Sequence, residues 1–190
     1  MFTQELESVL PELRGYARML SRDRDIADDI VQNACLKAWT ARKTFDPIKG
    51  SFKAWMFTIT RNEFIQYMRK SKRTDFYAPS DLENWLVEDC QITNRATCSE
   101  VIRELFLLPP DQRDVFILVV AVGYSYEEAA NICDCEIGTL KSRINRARKK
   151  LTEALTAPNG SKSDSAPSET GFHDVTDIFG YAEKLVKKAA

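Results

Sequence analysis

The sequence SYEEAANICDCEIGTLKSRINRARKK, residues 125–150, is the most informative part of the chain about its architecture. Ser125 with a glutamate three residues later is a capping box, which favours a helix directly after the serine. We predict a short helix over 126–132 and a longer one over about 136–155, joined by a tight turn. These are the elements of a helix-turn-helix. The turn usually takes glycine, but Asp134 stands there, and aspartate tolerates a positive φ better than most residues.

The second helix of this motif has an apolar and a polar side. Four apolar residues at helical spacing form its predicted inner stripe: Leu140, Ile144, Ala147 and Leu151. Polar residues fall outward between them: Lys141, Ser142, Asn145 and Arg146. Arginine, lysine and asparagine read purine edges in the major groove, and serine and threonine reach phosphates or bases. A basic run alone is more often a solvated surface, but its place in a helix-turn-helix predicts DNA contact.

The remainder of the chain also shows helical spacing. Apolar residues recur at the i, i+3, i+4 and i+7 positions over 6–20 and 26–39, and a third helix is predicted over about 51–72. Proline and glycine interrupt the pattern at 45–51, which indicates a loop. Two more helices are expected over 98–123, separated by a pair of prolines. Because no segment alternates as a strand does, the predicted fold class is all-α.

Charge divides the chain into parts that the net charge of −1 conceals. Residues 1–73 hold 14 basic and 9 acidic side chains, whereas 74–104 hold 2 basic and 7 acidic ones. A basic block before an acidic connector indicates a polyanionic partner for the first block. We predict a first domain over 1–73, a linker over 74–97 and a helix-turn-helix domain over 98–156. The tail, 157–190, is predicted to be flexible, with one stretch that has the spacing of a short helix.

The third predicted helix interleaves aromatic and basic side chains. These are Phe52, Trp55, Phe57, Phe64 and Tyr67, with Arg61, Arg69, Lys70, Lys72 and Arg73. Bases stack on aromatic rings while cations follow the phosphates, so the composition is typical of single-stranded DNA binding. Helical spacing also favours a core position for most of these rings. That leaves Phe45, in the preceding loop, and Asn62 as the residues expected to hold an unstacked base.

The residues that could support catalysis or bind a metal do not converge. Asp28 and Asp29 are adjacent, so about 100° separates them around a helix, and an acidic protein-docking face is the better interpretation. An odd number of cysteines, five, argues against a disulfide framework. Cys133 and Cys135 lack zinc-knuckle spacing, and the single histidine, His173, lies in the polar tail. We expect no enzyme activity, no metal and no cofactor.

The sequence carries no signal for a membrane or for export. No apolar run approaches the ~20 residues that a membrane helix needs. The N-terminal sequence MFTQELESVL lacks the basic segment and apolar stretch of a signal peptide. We therefore expect a cytoplasmic protein without membrane insertion.

Two independent blocks together resemble the extracytoplasmic-function (ECF, group IV) sigma factors of the sigma-70 superfamily. The first, similar to sigma region 2, comprises Leu13-Arg14-Gly15-Tyr16-Ala17-Arg18, Asp28-Asp29-Ile30-Val31-Gln32, Lys37-Ala38-Trp39, Phe52–Ile59 and Arg61-Asn62. The second, similar to region 4, comprises Leu108-Pro109, Gln112-Arg113, Gly123–Ala130, Ile137–Arg143 and Arg146-Ala147-Arg148. The resemblance covers residues 5–155 and implies two small helical domains, a region 2 bundle and a region 4 helix-turn-helix.

The resemblance implies an alternative sigma factor, which binds core RNA polymerase, recognises promoter DNA and promotes its melting. The residues that match the polymerase-docking segment are Asp28, Asp29, Gln32 and Trp39. Those assigned to the −10 element are Phe45, Lys49, Ser51, Arg61, Asn62 and Arg69. Those assigned to the −35 element and its backbone are Tyr126, Thr139, Lys141, Ser142, Arg143, Asn145 and Arg146.

FTITRN (57–62) and SYEEAA (125–130) resemble the α-proteobacterial general-stress branch of the family. This implies a stress-response regulon and a small anti-sigma factor as a further partner. Three alternatives stay open. A sigma-like decoy would sequester an anti-sigma factor without touching DNA, and a plain helix-turn-helix regulator would bind no polymerase. A redox sensor would use Cys133 and Cys135.

Overall fold

The computed structural model describes residues 2–71 and 95–156. In these ranges the chain is helical and contains no strand, which confirms the all-α class. Most of the predicted linker, 74–97, and the tail, 157–190, lie outside the described residues. The helices are α1 (Phe2–Ser21), α2 (Arg24–Ala41), α3 (Phe52–Ser71), α4 (Arg95–Leu107), α5 (Pro110–Phe116), α6 (Tyr126–Cys133) and α7 (Ile137–Thr156). A 3-10 turn, Arg42–Thr44, follows α2, and a π-helical turn, Ile117–Ala121, continues α5.

Helices α1, α2 and α3 pack against one another as the first helical unit. Polar side chains set where two of them begin. Asp23 Oδ1 accepts a hydrogen bond from the backbone N–H of Ile26 at 2.9 Å and so caps α2. Ser51 Oγ accepts one from the N–H of Ala54 at 3.1 Å at the start of α3. The core of the unit is made of fully buried side chains from all three helices: Leu13, Tyr16, Ala17, Ala27, Ala34, Ala38, Met56 and Phe57.

Helices α4 to α7 form the second helical unit. Pro110 lies in the first turn of α5, where its missing N–H costs no hydrogen bond. The helix then widens into the π turn, in which the N–H of Val122 donates to the carbonyl of Ile117 at 3.0 Å. It ends before Gly123, whose φ of +86° is the conformation that glycine adopts most readily. The predicted end at Gly123 is confirmed, but the π turn was not predicted, because apolar spacing does not distinguish the two hydrogen-bond patterns.

The two helical units pack directly against each other. The rings of Phe57 on α3 and Tyr124, just before α6, lie 5.5 Å apart in an edge-to-face arrangement. Arg113 Nη2 on α5 donates a hydrogen bond to the carbonyl of Leu20 at the end of α1 (2.9 Å). The buried apolar side chains of both units form one continuous cluster. This packing places Arg61 of α3 next to Asp114 of α5.

Candidate nucleic-acid interfaces

The turn between α6 and α7 has the geometry of a helix-turn-helix. Ser125 Oγ accepts a hydrogen bond from the N–H of Glu128, and Glu128 Oε2 accepts one from the N–H of Ser125, which confirms the capping box. Asp134 ends α6 in the left-handed conformation, with φ 49° and ψ 54°. The N–H of Cys135 donates to the carbonyl of Ala130 at 3.1 Å, which completes a Schellman-type helix end. Asp134 therefore takes the left-handed position that glycine usually occupies at such a helix end.

Helix α7 presents a polar face to solvent. Its predicted inner stripe is confirmed, since Leu140, Ile144, Ala147 and Leu151 are all buried. The side chains predicted to read DNA are exposed: Thr139, Lys141, Ser142, Asn145 and Arg146. Arg146 Nη2 donates a hydrogen bond to Ser142 Oγ at 2.7 Å, one helical turn earlier. The guanidinium is therefore held against the outward face, in the first half of the helix.

Two further predicted −35 residues lie at the margin of this face. Arg143 is partly buried, and its Nε lies 3.3 Å from Asp111 Oδ2 of α5. Tyr126, in the first turn of α6, is partly buried against the hydrophobic cluster. The structure therefore groups five of the seven predicted residues on the open surface and places these two at its edge.

The loop between α2 and α3 lies beside an aromatic cluster. Phe45 is half-buried, and its ring lies 5.5 Å from that of Phe52 and 5.2 Å from that of Trp55. Lys49 is exposed and lies 3.9 Å from Asp46. Ile48 at the loop tip is 93 % exposed. Sequence reasoning missed Ile48, although an isoleucine between proline and lysine in a polar loop is a readable signal for an apolar contact.

Most aromatic side chains of α3 belong to the core. Phe52, Phe57 and Phe64 are buried, as the core interpretation of their spacing predicted. The ring of Phe57 lies 5.0 Å from that of Tyr16, inside the molecule. Of the predicted −10 residues on α3, Asn62 and Arg69 are exposed. Since a helix rises about 1.5 Å per residue, the predicted −10 residues from Ser51, at the start of α3, to Arg69 span roughly 27 Å and do not form one compact cluster.

Arg61 lies in a different environment from the other predicted −10 residues. Its Nε is 2.6 Å from Asp114 Oδ2 on α5, and the two side chains are only 12 % and 6 % exposed. The Tyr16 hydroxyl donates a hydrogen bond to the other carboxylate oxygen, Oδ1, at 2.5 Å. Burial lowers the pKa of Arg61, but the Asp114 carboxylate more than compensates and the pKa is raised. In this structure Arg61 is occupied by a buried ion pair between the two units.

Sequence reasoning missed Asp114 as a polar centre. It lies in the segment DQRDVFILVV (111–120), where a charged residue directly before an apolar run is the available signal. Its partners Tyr16 and Arg61 are 98 and 53 positions away along the chain. Local periodicity carries no information about contacts at such separations, so the signal could mark the residue but not identify its partners.

Helix α2 exposes a face that combines acidic and apolar residues. The predicted docking residues Asp28, Asp29, Gln32 and Trp39 are all exposed. Leu36 lies on the same face, four residues after Gln32, and is 61 % exposed, while Trp39 is 51 % exposed. The Arg42 guanidinium lies 4.5 Å from the Trp39 ring centroid. Sequence reasoning missed Leu36, although a leucine on the polar side of an amphipathic helix is a signal for protein contact.

The cysteines of the turn are free thiols, and Cys133 is buried. Burial, together with the nearby Asp114 carboxylate, raises the pKa of Cys133 to about 12. A thiol held in its protonated form is a poor nucleophile and a poor metal ligand. Within residues 2–71 and 95–156, no group of three His, Cys, Asp or Glu side chains is placed to hold a metal ion. No helix in the same ranges is long and apolar enough to cross a bilayer.

Comparison with known proteins finds the same two blocks. The family model for Sigma-70 region 2 matches residues 6–74, and that for Sigma-70, region 4 matches residues 100–151. The ECF RNA polymerase sigma factor EcfG of Rhodopseudomonas palustris is 40 % identical over 166 residues, which cover 87 % of this chain and 90 % of that protein.

Two solved structures are also similar. The sigma factor RpoE of Bartonella quintana, in complex with the anti-sigma factor NepR, is 39 % identical with a TM-score of 0.69, and the match covers 83 % of this chain and 98 % of that one. CnrH, in complex with the cytosolic domain of CnrY, is 30 % identical with a TM-score of 0.60 over 83 % of this chain and 89 % of that one. The chain therefore belongs to the ECF family of RNA polymerase sigma factors, which recognise promoters and initiate transcription through sigma-70 regions 2 and 4.

Proposed function

We propose that this sigma factor uses three separate surfaces to bring core RNA polymerase to a promoter and to open it. Residues 1–73 form the domain that binds core polymerase and the −10 element, 98–156 form the −35 domain, and 74–97 link them. The observation that carries the proposal is α7, whose inner stripe is buried and whose outer face is polar and basic. That face has the composition of a helix that reads the major groove.

In the −35 domain, recognition is centred on the first half of α7. Lys141, Ser142, Asn145 and Arg146 contact base edges, because the N-terminal residues of a recognition helix enter the groove. Arg146 is the main reader, since Ser142 already holds its guanidinium on the outward face. Guanidinium groups match the O6 and N7 acceptors of guanine. Three residues at the margins of the face contact the DNA backbone: Tyr126, Thr139 and Arg143.

In the first domain, the loop before α3 and the exposed side of α3 bind the −10 element as a single strand. Phe45 offers a ring at the edge of an aromatic cluster, and an unstacked base stacks on such a ring. Asn62, exposed on α3, hydrogen-bonds the edge of that base. The phosphates nearby are contacted by Lys49, Ser51, Arg61 and Arg69.

The exposed face of α2 is the docking surface for core polymerase. Asp28, Asp29 and Gln32 supply its polar part, and Trp39 supplies its anchor. A half-exposed tryptophan is typical of an interface hot spot, and the exposed Leu36 beside it adds apolar contact area. The acidic residues select a basic surface on the partner and set the orientation of docking.

We further propose that an anti-sigma factor holds this chain inactive in the cytoplasm until a stress signal releases it. The support is similarity: RpoE of Bartonella quintana was crystallised with NepR, and CnrH with the cytosolic domain of CnrY. The promoters served are those of a stress-response regulon, in line with the resemblance of FTITRN and SYEEAA to the general-stress branch. The chain itself catalyses no reaction and directs the polymerase that does.

The test is transcription in a purified system with core polymerase, this protein and templates carrying randomised −35 and −10 elements. We expect transcripts that require the protein, from templates that share two elements at a fixed spacing. Reactions without the protein and reactions with scrambled templates are the controls. Absence of dependent transcripts, together with tight binding to a small anti-sigma protein, would favour the sigma-like decoy. Dependence on a single symmetric site would favour a plain helix-turn-helix regulator.

A further inference from the structure

A buried carboxylate lies between the two helical units. Asp114 belongs to α5 of the second unit, and both of its short hydrogen-bonded partners, Tyr16 and Arg61, belong to the first. From its own unit, Cys133 Sγ lies 4.0 Å from Asp114 Oδ2. An ionised carboxylate that is taken out of water needs partners that satisfy its charge and lone pairs. Asp114 obtains these partners, Tyr16 and Arg61, from the opposite unit. Its burial therefore depends on contact between the two units.

Two further polar contacts join the same surfaces. Arg113, next to Asp114, donates hydrogen bonds to the carbonyl of Leu20 in α1 and to that of Phe106 in α4. A cation at the carbonyl end of a helix is favourable. Lys53 on α3 forms an ion pair with Glu12 and lies 5.7 Å from the centroid of the Tyr124 ring. The joint is therefore a specific arrangement of charged groups as well as an apolar contact.

This packed arrangement is incompatible with simultaneous contact to both promoter elements. Elements centred near −35 and −10 lie about 25 base pairs apart, which is about 85 Å at 3.4 Å per base pair. The longest helices in either unit have 20 residues, which is roughly 30 Å. Two units of that size in contact cannot present their DNA-binding surfaces about 85 Å apart. Arg61, assigned to the −10 region, is also unavailable while it is paired with Asp114.

We propose that the structure is a closed, self-inhibited state of the chain, in which Asp114 acts as an interdomain latch that holds Arg61 and must release it before the promoter is engaged. The proposal rests on the proposed function, since it is the promoter geometry that requires opening. The latch is reversible because a buried ion pair adds little net stability relative to its hydrated groups. It selects one arrangement of the two units without making separation prohibitive.

The substitution Asp114→Asn acts selectively on the closed state. It leaves the Arg61 guanidinium buried without a counter-charge, which is strongly unfavourable. In the open state Arg61 and the new asparagine are both hydrated, so the substitution has little effect there. The equilibrium therefore shifts towards the open form. Because only the open form engages promoter DNA and polymerase together, the apparent affinity rises in proportion to its population.

The chain offers a matched pair of milder variants. Tyr16→Phe removes a hydroxyl that donates to Asp114. Tyr124→Phe removes a hydroxyl that is also buried at the joint but forms no hydrogen bond with any described residue. Both substitutions delete one oxygen from a tyrosine at the same interface. If Tyr16→Phe shifts the equilibrium towards the open form and Tyr124→Phe does not, the shift results from loss of the hydrogen bond to Asp114 and not from a general loss of packing.

The experiment combines small-angle X-ray scattering of the free full-length chain with titration of the same variants against core polymerase on a promoter fragment. We expect Asp114→Asn to increase the radius of gyration and to tighten the apparent Kd about tenfold, with Tyr16→Phe in between and Tyr124→Phe like wild type. Circular dichroism monitors helicity, so a variant that unfolds is recognised. In that case Tyr16→Phe alone decides the question.

Each outcome bears on the latch separately from the proposed function. Opening without tighter binding would show that the closed state does not inhibit, and would overturn the proposal while wild type still directs transcription. An unchanged radius of gyration in both Asp114→Asn and Tyr16→Phe would show that Asp114 is not a latch. A wild-type chain that never supports transcription would instead contradict the proposed function, whatever the scattering shows.

Discussion

The two DNA-binding regions of this sigma factor differ in how accessible their predicted DNA-contacting side chains are when the two helical units are packed together. On α7 the exposed readers contact solvent or each other, as Arg146 and Ser142 do. On α3, Arg61 is paired with a residue of the other unit while its neighbour Asn62 is exposed. The −35 surface is therefore complete within its own helix-turn-helix. In the proposed mechanism, the −10 surface is completed only when the units separate and Arg61 leaves Asp114.

This difference suggests an order of events at the promoter. The exposed face of α7 and the exposed face of α2 are available in the closed chain, so contact with −35 DNA or with polymerase does not require opening. Under the proposed latch, engagement of the −10 element does require opening, because Arg61 must leave Asp114.

The inner side of α7 is tested by Leu140→Ala. Leu140 is fully buried, so removing its isobutyl group should lower the free energy of unfolding by about 2–5 kcal/mol. Lys141→Ala, one residue later on the exposed side, should change it by less than about 0.5 kcal/mol. Urea unfolding followed by circular dichroism measures both. Equal losses for the two variants would mean that the assigned faces of α7 are wrong.

The outer side of α7 is tested by Arg146→Ala. Loss of a base-reading arginine should weaken −35 recognition by roughly 1–3 kcal/mol and relax sequence preference at one position. The measurement is competition between promoter fragments with intact and altered −35 elements for the polymerase complex. Arg103→Ala is the matched control, because Arg103 is an exposed arginine on α4 that pairs only with the adjacent Glu104 among described residues. Equal affinities for Arg146→Ala and wild type would rule out Arg146 as a reader.

The exposed side of α3 is tested by Asn62→Ala. The variant should bind duplex −35 DNA normally but open the −10 element less readily, by about 1 kcal/mol for one lost hydrogen bond. Fluorescence of 2-aminopurine placed in the −10 element reports the opening. Gln66→Ala, one turn further along the same exposed side, is the control. A parallel loss of −35 binding and melting would indicate misfolding and not a specific role for Asn62.

The sequence predicted the helix-turn-helix well and the contacts between the two units poorly. The capping box at Ser125, the stripe headed by Leu140 and the left-handed Asp134 depend on residues close together in the chain, and all three were predicted correctly. Asp114 was missed because its environment is created by Tyr16 and Arg61, which are distant in sequence. Leu36 and Ile48 do carry local signals, a leucine on the polar side of a helix and an isoleucine in a polar loop, but how far each side chain is exposed depends on neighbours that are distant in sequence.

The smallest predicted effect concerns the thiols and distinguishes packing from redox sensing. Burial raises the pKa of Cys133 from its ordinary 9.0 to about 12, and burial raises the pKa of Cys35 as well. The folded chain thus holds these protons more tightly than the unfolded chain, so the Cys133 stabilisation is complete well below pH 9 and is lost as the pH rises through 9 towards 12. Between pH 8 and pH 9 the Cys133 contribution falls by about 0.4 kcal/mol.

Urea unfolding at the two pH values, with reductant present, measures this loss. Cys133→Ala should reduce the dependence on pH, whereas Cys135→Ala, at a partly exposed position, should keep it. A thiol that stays protonated at neutral pH reacts slowly with oxidants, so both variants should direct transcription equally well before and after mild peroxide treatment. If the wild-type chain changed its promoter binding after peroxide treatment and Cys133→Ala abolished that change, the thiol would be a redox sensor. Its reaction with peroxide would then require the two helical units to separate and expose it.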